Sequence, residues 1–173
     1  MSKPEQLIFN ALAADAPASL RAEPFWRMGD EGLLPVVLYG HKAHSIFDWH
    51  SYTAPGTSWL VRVEQGAQLA GVVWLNSFSG RSALAHFCVF RAYQPQAVAM
   101  GRAFMRWAFA SGCFDSLSGV TPSTYRHALA LSRAIGFVPM GRVPGACLLA
   151  RTGRCVDAVV SVATVQSIPE EED

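Results

Sequence analysis

The sequence carries little charge: only 16% of its 173 residues are charged, while 51% are hydrophobic. This balance excludes an intrinsically disordered chain and a coiled coil. Apolar runs of the ~18 residues that a membrane span needs are missing, and the amino terminus lacks a signal-peptide pattern. We therefore expect a globular protein of the cytoplasm, with no membrane partner.

Paired cysteines are missing as well. The four cysteines are scattered, without a CxxC pair or histidines at zinc-finger spacing: Cys88, Cys113, Cys147 and Cys155. This usage is typical of a reducing compartment, where a cysteine packs as a small hydrophobic residue. No metal site is predicted.

Lysine is scarce too, and the charge is unevenly distributed. Lysine occurs twice, at Lys3 and Lys42, and the lack of a basic cluster argues against a nucleic-acid partner. Residues 65–156, however, carry nine arginines and a single acid, Asp115, and so have a net charge of +8. Such a block indicates an anionic ligand, with a solvated arginine-rich surface as the alternative.

The first half of the chain predicts short helices and an antiparallel meander. Residues 5–14 have the pattern of an amphipathic helix, and residues 31–56 that of a short helix with loops. Trp59, Val61 and Val63 alternate with their neighbours as in a half-buried strand. The strands of the meander are expected over residues 59–64, 69–76 and 83–90.

The second half predicts helices that alternate with strands. One helix begins at Pro95, which suits a first turn because it lacks an N–H, and ends at Ser111-Gly112. Another begins at Ser123 or Thr124 and stops at Gly136. Strands are expected at residues 115–121, 137–143, 146–150 and 155–165. One domain over residues 1–168 precedes a disordered acidic tail at 169–173.

This order of elements resembles that of the GNAT-type N-acetyltransferases, especially members carried by phages and prophages. The stretch Ala85–Gln94 resembles the family's fourth strand, and Ala128–Phe137 resembles its helix that ends in Gly-Phe. The likeness covers about residues 58–150. It implies an α/β fold with a mixed, mostly antiparallel sheet of about six or seven strands, flanked by helices and splayed between strands 4 and 5.

The resemblance also implies a pyrophosphate-binding loop near Pro95. A loop that opens a helix presents free N–H groups at the positive end of the helix dipole. The family pattern fits two registers here, Gln94–Ala99 without a gap and Gln96–Gly101 shifted by two residues. The cofactor-binding residues expected from this loop are Gln94, Pro95, Gln96, Ala97, Val98, Ala99, Gly101 and Arg102.

In the family, free main-chain groups of the fourth strand pair with the pantetheine arm of CoA. That role is expected for Phe87, Cys88 and Val89. No base or charge that would activate the Cys88 thiol is visible in the sequence, so we interpret Cys88 as a packed residue.

His86 is the candidate general base, because acyl transfer to an amine needs a base with a pKa near 7. The alternative is a histidine packed and hydrogen-bonded on the sheet face. The family's thiolate is protonated by a Tyr whose position holds Ser132 here, and Tyr125 lies seven residues earlier on the same predicted helix. His86, Tyr125 and Ser132 are therefore the expected catalytic residues.

The segment before the meander is expected to form the acceptor wall. It contains His41, His44, Asp48 and His50, in neither a metal-binding spacing nor a catalytic triad. A role at the surface or in a loop is the preferred interpretation of all four.

The sequence thus predicts an acetyl-CoA-dependent N-acetyltransferase that acts on the amine of a small molecule or protein. The expected partners are CoA, the amine and a second copy in a homodimer. The alternative is a GNAT-fold protein of phage or prophage type with weak or no catalysis and an interaction or virion role. The missing Tyr at Ser132 and the altered loop favour that alternative.

Overall fold

The computed structural model describes residues 6–40 and 45–170, which build a seven-stranded sheet. The strands lie in the order β1-β2-β3-β4-β5-β7-β6. Within the described residues β4 and β5 are parallel and the other neighbours are antiparallel. Their bounds are β1 Leu7–Ala11, β2 Ser58–Gln65, β3 Gln68–Ser79, β4 Ser82–Val89, β5 Ser116–Pro122, β6 Val138–Leu149 and β7 Arg154–Ala163. The predicted fold class is confirmed.

Helices cover both faces of the sheet. Their bounds are α1 Ala18–Asp30, α2 Leu34–Val37, α3 Ile46–Tyr52, α4 Ala97–Ala110 and α5 Arg126–Ala134, with 3-10 helices at Arg91–Gln96 and Val165–Ser167. No helix in residues 6–40 or 45–170 has the length and apolarity needed to cross a membrane.

Strand alternation divides the interior into two hydrophobic clusters. On one face, Val73 and Leu75 of β3 pack with Phe104 of α4. On the other, Trp74 packs with Trp49 of α3 and Phe25 of α1. Because successive side chains of a strand point to opposite faces, both clusters follow from one apolar run in β3.

The amino-terminal prediction is wrong: residues 7–11 form β1, an edge strand, and not part of a helix. β1 pairs antiparallel with β2 from Leu7↔Gln65 to Ala11↔Val61. Phe9 packs on α4, with its ring centroid 5.9 Å from that of Phe104 and 5.7 Å from that of Trp107. Strand pairing and this aromatic contact outweigh the local helical pattern. Helix α1 follows and was not predicted, and Glu5 lies outside the described residues.

Three other boundaries differ from the predictions. Helix α4 begins at Ala97, because Pro95 lies in the preceding 3-10 helix. Helix α5 begins at Arg126, because Tyr125 and Arg126 donate to Pro122 and Thr124 in turns. The two strands expected at residues 137–143 and 146–150 are one strand, β6, whose pairing with β7 shifts register between Val143 and Cys147.

Candidate functional site

A gap opens in the sheet between β4 and β5. The two strands pair over three positions, from Ser82↔Ser116 to Leu84↔Ser118, and diverge beyond them. The Ser118 hydroxyl donates to the Ala83 carbonyl over 3.1 Å and bridges the strands where the gap begins. Beyond Leu84, β4 therefore has no strand partner on this side among the described residues, as expected for a sheet splayed between strands 4 and 5.

A cavity of about 190 Å³ fills this gap. It is bordered by Ala85, His86 and Phe87 of β4 and by residues 120–122 of β5, with walls from α4 and α5. Its other end is bordered by α2 and Trp74. Since Phe87 and Trp74 belong to opposite clusters, the cavity reaches both faces of the sheet.

The three candidate catalytic residues border this one cavity. His86 comes from β4, Tyr125 immediately precedes α5, and Ser132 lies in the middle of α5. The predicted arrangement of Tyr125 and Ser132 on one helix face is wrong, because Tyr125 is not helical.

His86 is held by two side chains of β3. Its ring stacks on Trp74, with centroids 4.8 Å apart and planes 5° from parallel. Its Nε2 lies 3.3 Å from Asn76 Oδ1, an arrangement in which the imidazole N–H donates to the amide oxygen. Burial lowers the pKa of His86 from 6.5 to about 4, so the ring is neutral at pH 7. This pKa lies below the value near 7 that suits a general base, and the ring is both packed and at the cavity wall.

A second tyrosine, Tyr39, stands beside Tyr125. Their rings meet edge to face with centroids 5.9 Å apart. The Tyr39 hydroxyl donates to the Val120 carbonyl over 3.4 Å and accepts from the Cys147 thiol over 3.8 Å. Burial raises the pKa of both tyrosines, so both hydroxyls stay protonated at neutral pH.

The proposed pantetheine segment, Phe87 to Val89, pairs on its other side with β3. Phe87 borders the cavity and stacks on Phe104 at 6.4 Å, and Cys88 is buried in the opposite cluster. Burial raises the pKa of the Cys88 thiol to about 12, which keeps it protonated and unreactive as a nucleophile. The four cysteines are free thiols.

The expected pyrophosphate loop is a 3-10 helix that leads into α4. Gln94, Pro95 and Gln96 lie in it and are exposed, as are Val98 and Ala99 in the first turn of α4. No side chain caps the amino end of α4 among the described residues. Ala97 is half-buried, and its N–H donates to the Gln94 carbonyl.

Gly101 and Arg102 contact the end of α5 instead. A Cβ at Gly101 would lie 2.6 Å from Ile135 Cγ2, so the glycine allows the two helices to approach. Arg102 Nε donates to the Ala134 carbonyl over 2.9 Å. Arg91 donates through its Nε and N–H to Glu31. Arg106 donates to the Pro169 carbonyl.

Comparison with solved structures identifies this arrangement. Spermidine N-acetyltransferase from Vibrio cholerae, in complex with CoA and spermine, is 16% identical and matches with a TM-score of 0.74 over 94% of this chain and 97% of that one. The microcin C7 self-immunity acetyltransferase MccE, in complex with acetyl-CoA and AMP, is 15% identical, with a TM-score of 0.67 over 91% and 92%. The chain has the GNAT fold. The sequence matches no protein-family model and no curated protein.

At this low identity the likeness establishes the GNAT fold and leaves the substrate open. Among the predicted acceptor-wall residues, His41 and His44 lie outside the described residues. Asp48 closes a capping box with Ser45 at the start of α3, and neither Asp48 nor His50 borders the cavity. The residues of this segment that border the cavity are Val36, Val37 and Tyr39.

Sequence reasoning missed Tyr39 and Trp74, both of which border the cavity. The register β3–β4 places Trp74 opposite His86. An alternating strand with His86 opposite an aromatic position is the signal that could have found Trp74. Tyr39 has no such signal, because it lies in an irregular segment between α2 and α3.

Proposed function

We propose that this chain is an acetyl-CoA-dependent N-acetyltransferase. The single observation that carries the proposal is the gap between β4 and β5, where His86, Tyr125 and Ser132 border one cavity that residues from both faces of the sheet line. The edge of β4 offers main-chain donors and acceptors to an extended ligand there, as one more strand would. The pantetheine arm of acetyl-CoA has the amides for this pairing.

The proposed reaction moves the acetyl group from sulfur to nitrogen. The amine nitrogen attacks the thioester carbonyl carbon, a C–N bond forms, the C–S bond breaks, and one proton passes in net from nitrogen to the CoA sulfur. Main-chain N–H groups of Phe87 to Val89 would stabilise the negative oxygen of the tetrahedral intermediate. His86, neutral because of its burial, would accept the amine proton.

Protonation or stabilisation of the leaving thiolate falls to the hydroxyls of Ser132 and Tyr125. Serine is a poor acid, and desolvation raises the pKa of Tyr125, so both act better as hydrogen-bond donors than as full acids. Water can complete the proton transfer. This arrangement lowers the expected rate relative to a site with a well-placed acid.

The amino end of α4 is the proposed pyrophosphate site. No side chain caps its first turn among the described residues, although the Ala97 N–H donates to the Gln94 carbonyl of the preceding 3-10 helix. N–H groups of a first helical turn are the usual donors to a phosphate. The register Gln94–Ala99 is preferred, because Met100 and Gly101 are buried in the shifted register. Gly101 is explained by its contact with Ile135.

The free cysteines and the use of acetyl-CoA support the cytoplasm as the compartment. The proposal also includes a homodimer, and sedimentation velocity measures the oligomeric state directly.

The test of the function is incubation with acetyl-CoA and a panel of amino-acid amides, arylalkylamines, polyamines and peptides, with mass spectrometry of the products. An acetylated amine, formed faster than in a blank without protein, is the expected result.

Two observations favour a second candidate, the GNAT-fold protein of phage or prophage type with weak or no catalysis. The family's acid position holds Ser132, and the packing of His86 on Trp74 leaves the histidine a weak base. Binding of acetyl-CoA with no acetylated product on any amine would support this second candidate. The absence of acetyl-CoA binding would contradict the proposal that the chain is an acetyl-CoA-dependent enzyme.

A further inference from the structure

We call the end of the cavity near α2, Tyr39, Trp74 and Tyr125 the acceptor end. None of the described residues that border the cavity is an Asp or a Glu. Residues 32–47, which include the wall segment, have no Asp or Glu, and residues 65–156 have only Asp115. Asp115 is exposed and pairs with Arg81 through two hydrogen bonds. Asp48 accepts from the Ser45 N–H, and Asp157 accepts from the Gly145 N–H. Among the described residues that border the cavity, a polyamine would therefore find no anionic partner.

The acceptor end is instead apolar and aromatic. It is bordered by Val36 and Val37 of α2 and by the rings of Tyr39, Trp74 and Tyr125. A cation near Tyr125, Arg151, adds positive potential at this end. The cavity of about 190 Å³ is smaller than the ~300–1,000 Å³ of pockets for drug-sized ligands. A compact apolar amine fits this wall, and its ammonium form is disfavoured there by desolvation.

The Trp74 indole provides a further recognition element. The side chain is 1% exposed and borders the cavity, and its Nε1–H has no acceptor in the described part of the chain. By contrast, the buried indole of Trp49 donates to the Arg21 carbonyl over 2.7 Å. Buried indole N–H groups normally find a partner, and an unmet donor is costly. The stacked His86 ring fixes the plane of the Trp74 indole.

We propose that the acceptor is a compact apolar primary amine that carries a hydrogen-bond-accepting oxygen, and that Trp74 Nε1–H donates to that oxygen. The proposal rests on the proposed function, because it names the class of amine for the same cavity. Amino-acid amides with apolar side chains are the simplest members of this class. Trp74 is then a specificity-determining residue, since the amine lacking the oxygen leaves its donor unpaired.

The test measures amine binding by calorimetry in the presence of saturating CoA, so that no acetyl transfer takes place. Two matched pairs are used: phenylalanine amide against 2-phenylethylamine, and leucine amide against 3-methylbutylamine, with spermidine as the polyamine. We expect each amide to bind at least tenfold more tightly than its oxygen-free analogue and than spermidine. Spermidine binding as tight as the amides, or no measurable binding of any amide, overturns the proposal.

Trp74→Phe removes the N–H and keeps an aromatic ring. It should weaken amide binding about tenfold and change binding of the oxygen-free analogues less than twofold. Trp59→Phe, at a ring that packs on Phe114 away from the cavity, is the matched control and should change neither. An equal loss for both members of a pair overturns the role of Trp74.

If Trp74→Phe does not fold, the wild-type protein decides the question by NMR. The Trp74 indole N–H resonance should move downfield with the amides and stay within line width with the analogues; equal shifts overturn the role. An acetyl-transfer assay with the same amines distinguishes a failure of the proposed function from a failure of the proposed acceptor class. Amides that bind without being acetylated contradict the proposed function alone. Acetylation of spermidine in preference to the amides contradicts the acceptor class alone.

Discussion

At the scale of single residues, His86 has two neighbours that determine its chemistry. Trp74 covers one face of the ring, and the cavity lies at its edge. A packed histidine and a catalytic histidine, which the sequence presents as alternatives, are therefore compatible in one residue. The sequence identified His86 from its strand. Trp74 was missed, because its contact with His86 becomes visible only when the two strands are paired in the correct register.

The lowered pKa of His86 predicts that the protein loses stability in acid. The unfolded imidazole binds a proton near pH 6.5 and the folded one only near pH 4, so below pH 6.5 protons favour the unfolded state. Between those values the free energy of unfolding should fall by roughly 3 kcal/mol from this group, and below pH 4 its contribution should level off. Urea denaturation of the wild type and His86→Gln at pH 4 to 8 measures the difference.

The variant should lack this part of the pH dependence, although it is less stable at pH 7 through loss of the stacked ring. Parallel curves for the two proteins across the whole range would show that the imidazole titrates equally in both states, and would contradict its burial.

The proposed role of His86 as a base leads to a kinetic prediction. If His86 accepts the amine proton, His86→Gln should lower kcat about 10²-fold without changing acetyl-CoA affinity. The pH profile of kcat should show the imidazole limb near pH 4, below the value of 6.5 for an unperturbed histidine. Steady-state kinetics with an acetylated amine, with calorimetry for CoA, checks both.

Unchanged kcat per folded molecule in the variant would remove His86 from the mechanism. If the wild-type profile has a limb near pH 6.5 and His86→Gln lacks it, His86 is a general base, but its pKa is not lowered by burial.

At the scale of elements, strand β1 and the start of α5 show where a local sequence pattern predicts the wrong structure. Leu7 and Phe9 share one strand face, but the same letters also suit one turn of an amphipathic helix. The partner that decides is β2, more than 45 residues away in sequence. The meander was predictable because its strands are joined by short turns, and each strand finds its partner nearby.

The amino end of α4 gives the prediction for the pyrophosphate. Ala99 is exposed in the first helical turn and belongs to both registers of the loop. Ala99→Glu should weaken CoA binding by at least tenfold through repulsion, while the protein keeps its stability, because an acid suits a helix amino end. Calorimetric titration with CoA provides the measurement.

Ala99→Gln is the matched control, since it adds nearly the same bulk without the charge. A loss of affinity that is equal in both variants would indicate steric obstruction. Full affinity in Ala99→Glu would place the pyrophosphate elsewhere.

The contact between α4 and α5 makes a separate prediction about stability. Gly101→Ala should destabilise the protein by about 1 kcal/mol, since crowding against Ile135 exceeds the gain of ~1 kcal/mol in helix propensity. In an Ile135→Ala background the same substitution should instead stabilise, because the obstructing side chain is removed. Urea denaturation of the four proteins forms the double-mutant cycle. Additive effects would show that the helices do not meet at Gly101.

At the scale of the whole molecule, element order was enough to predict the fold class, but charge was a poorer guide. The positive block at residues 65–156 suggested an anionic ligand. The structure engages several of its arginines internally: Arg81 with Asp115, Arg91 with Glu31 and Arg102 with the carboxyl end of α5. Such pairings are invisible to a count of charges, since they join residues distant in sequence.

Ligand binding should nevertheless be visible in global stability. A ligand that binds only the folded state at 100 times its Kd adds about 2.7 kcal/mol to the free energy of unfolding. Thermal unfolding with millimolar acetyl-CoA should therefore show a concentration-dependent rise in Tm, and acetate alone should show none. No rise with acetyl-CoA would remove the proposed co-substrate and leave the fold.

The central claim is that the thioester arm lies in the gap between β4 and β5, with its pyrophosphate at the amino end of α4. A crystal structure grown with saturating acetyl-CoA tests this claim most directly. Our account predicts density for the pantetheine arm along Phe87 to Val89, with the thioester beside His86 and the pyrophosphate near Ala97 to Ala99. An empty gap at saturating acetyl-CoA, or density for the molecule on another surface, would contradict it.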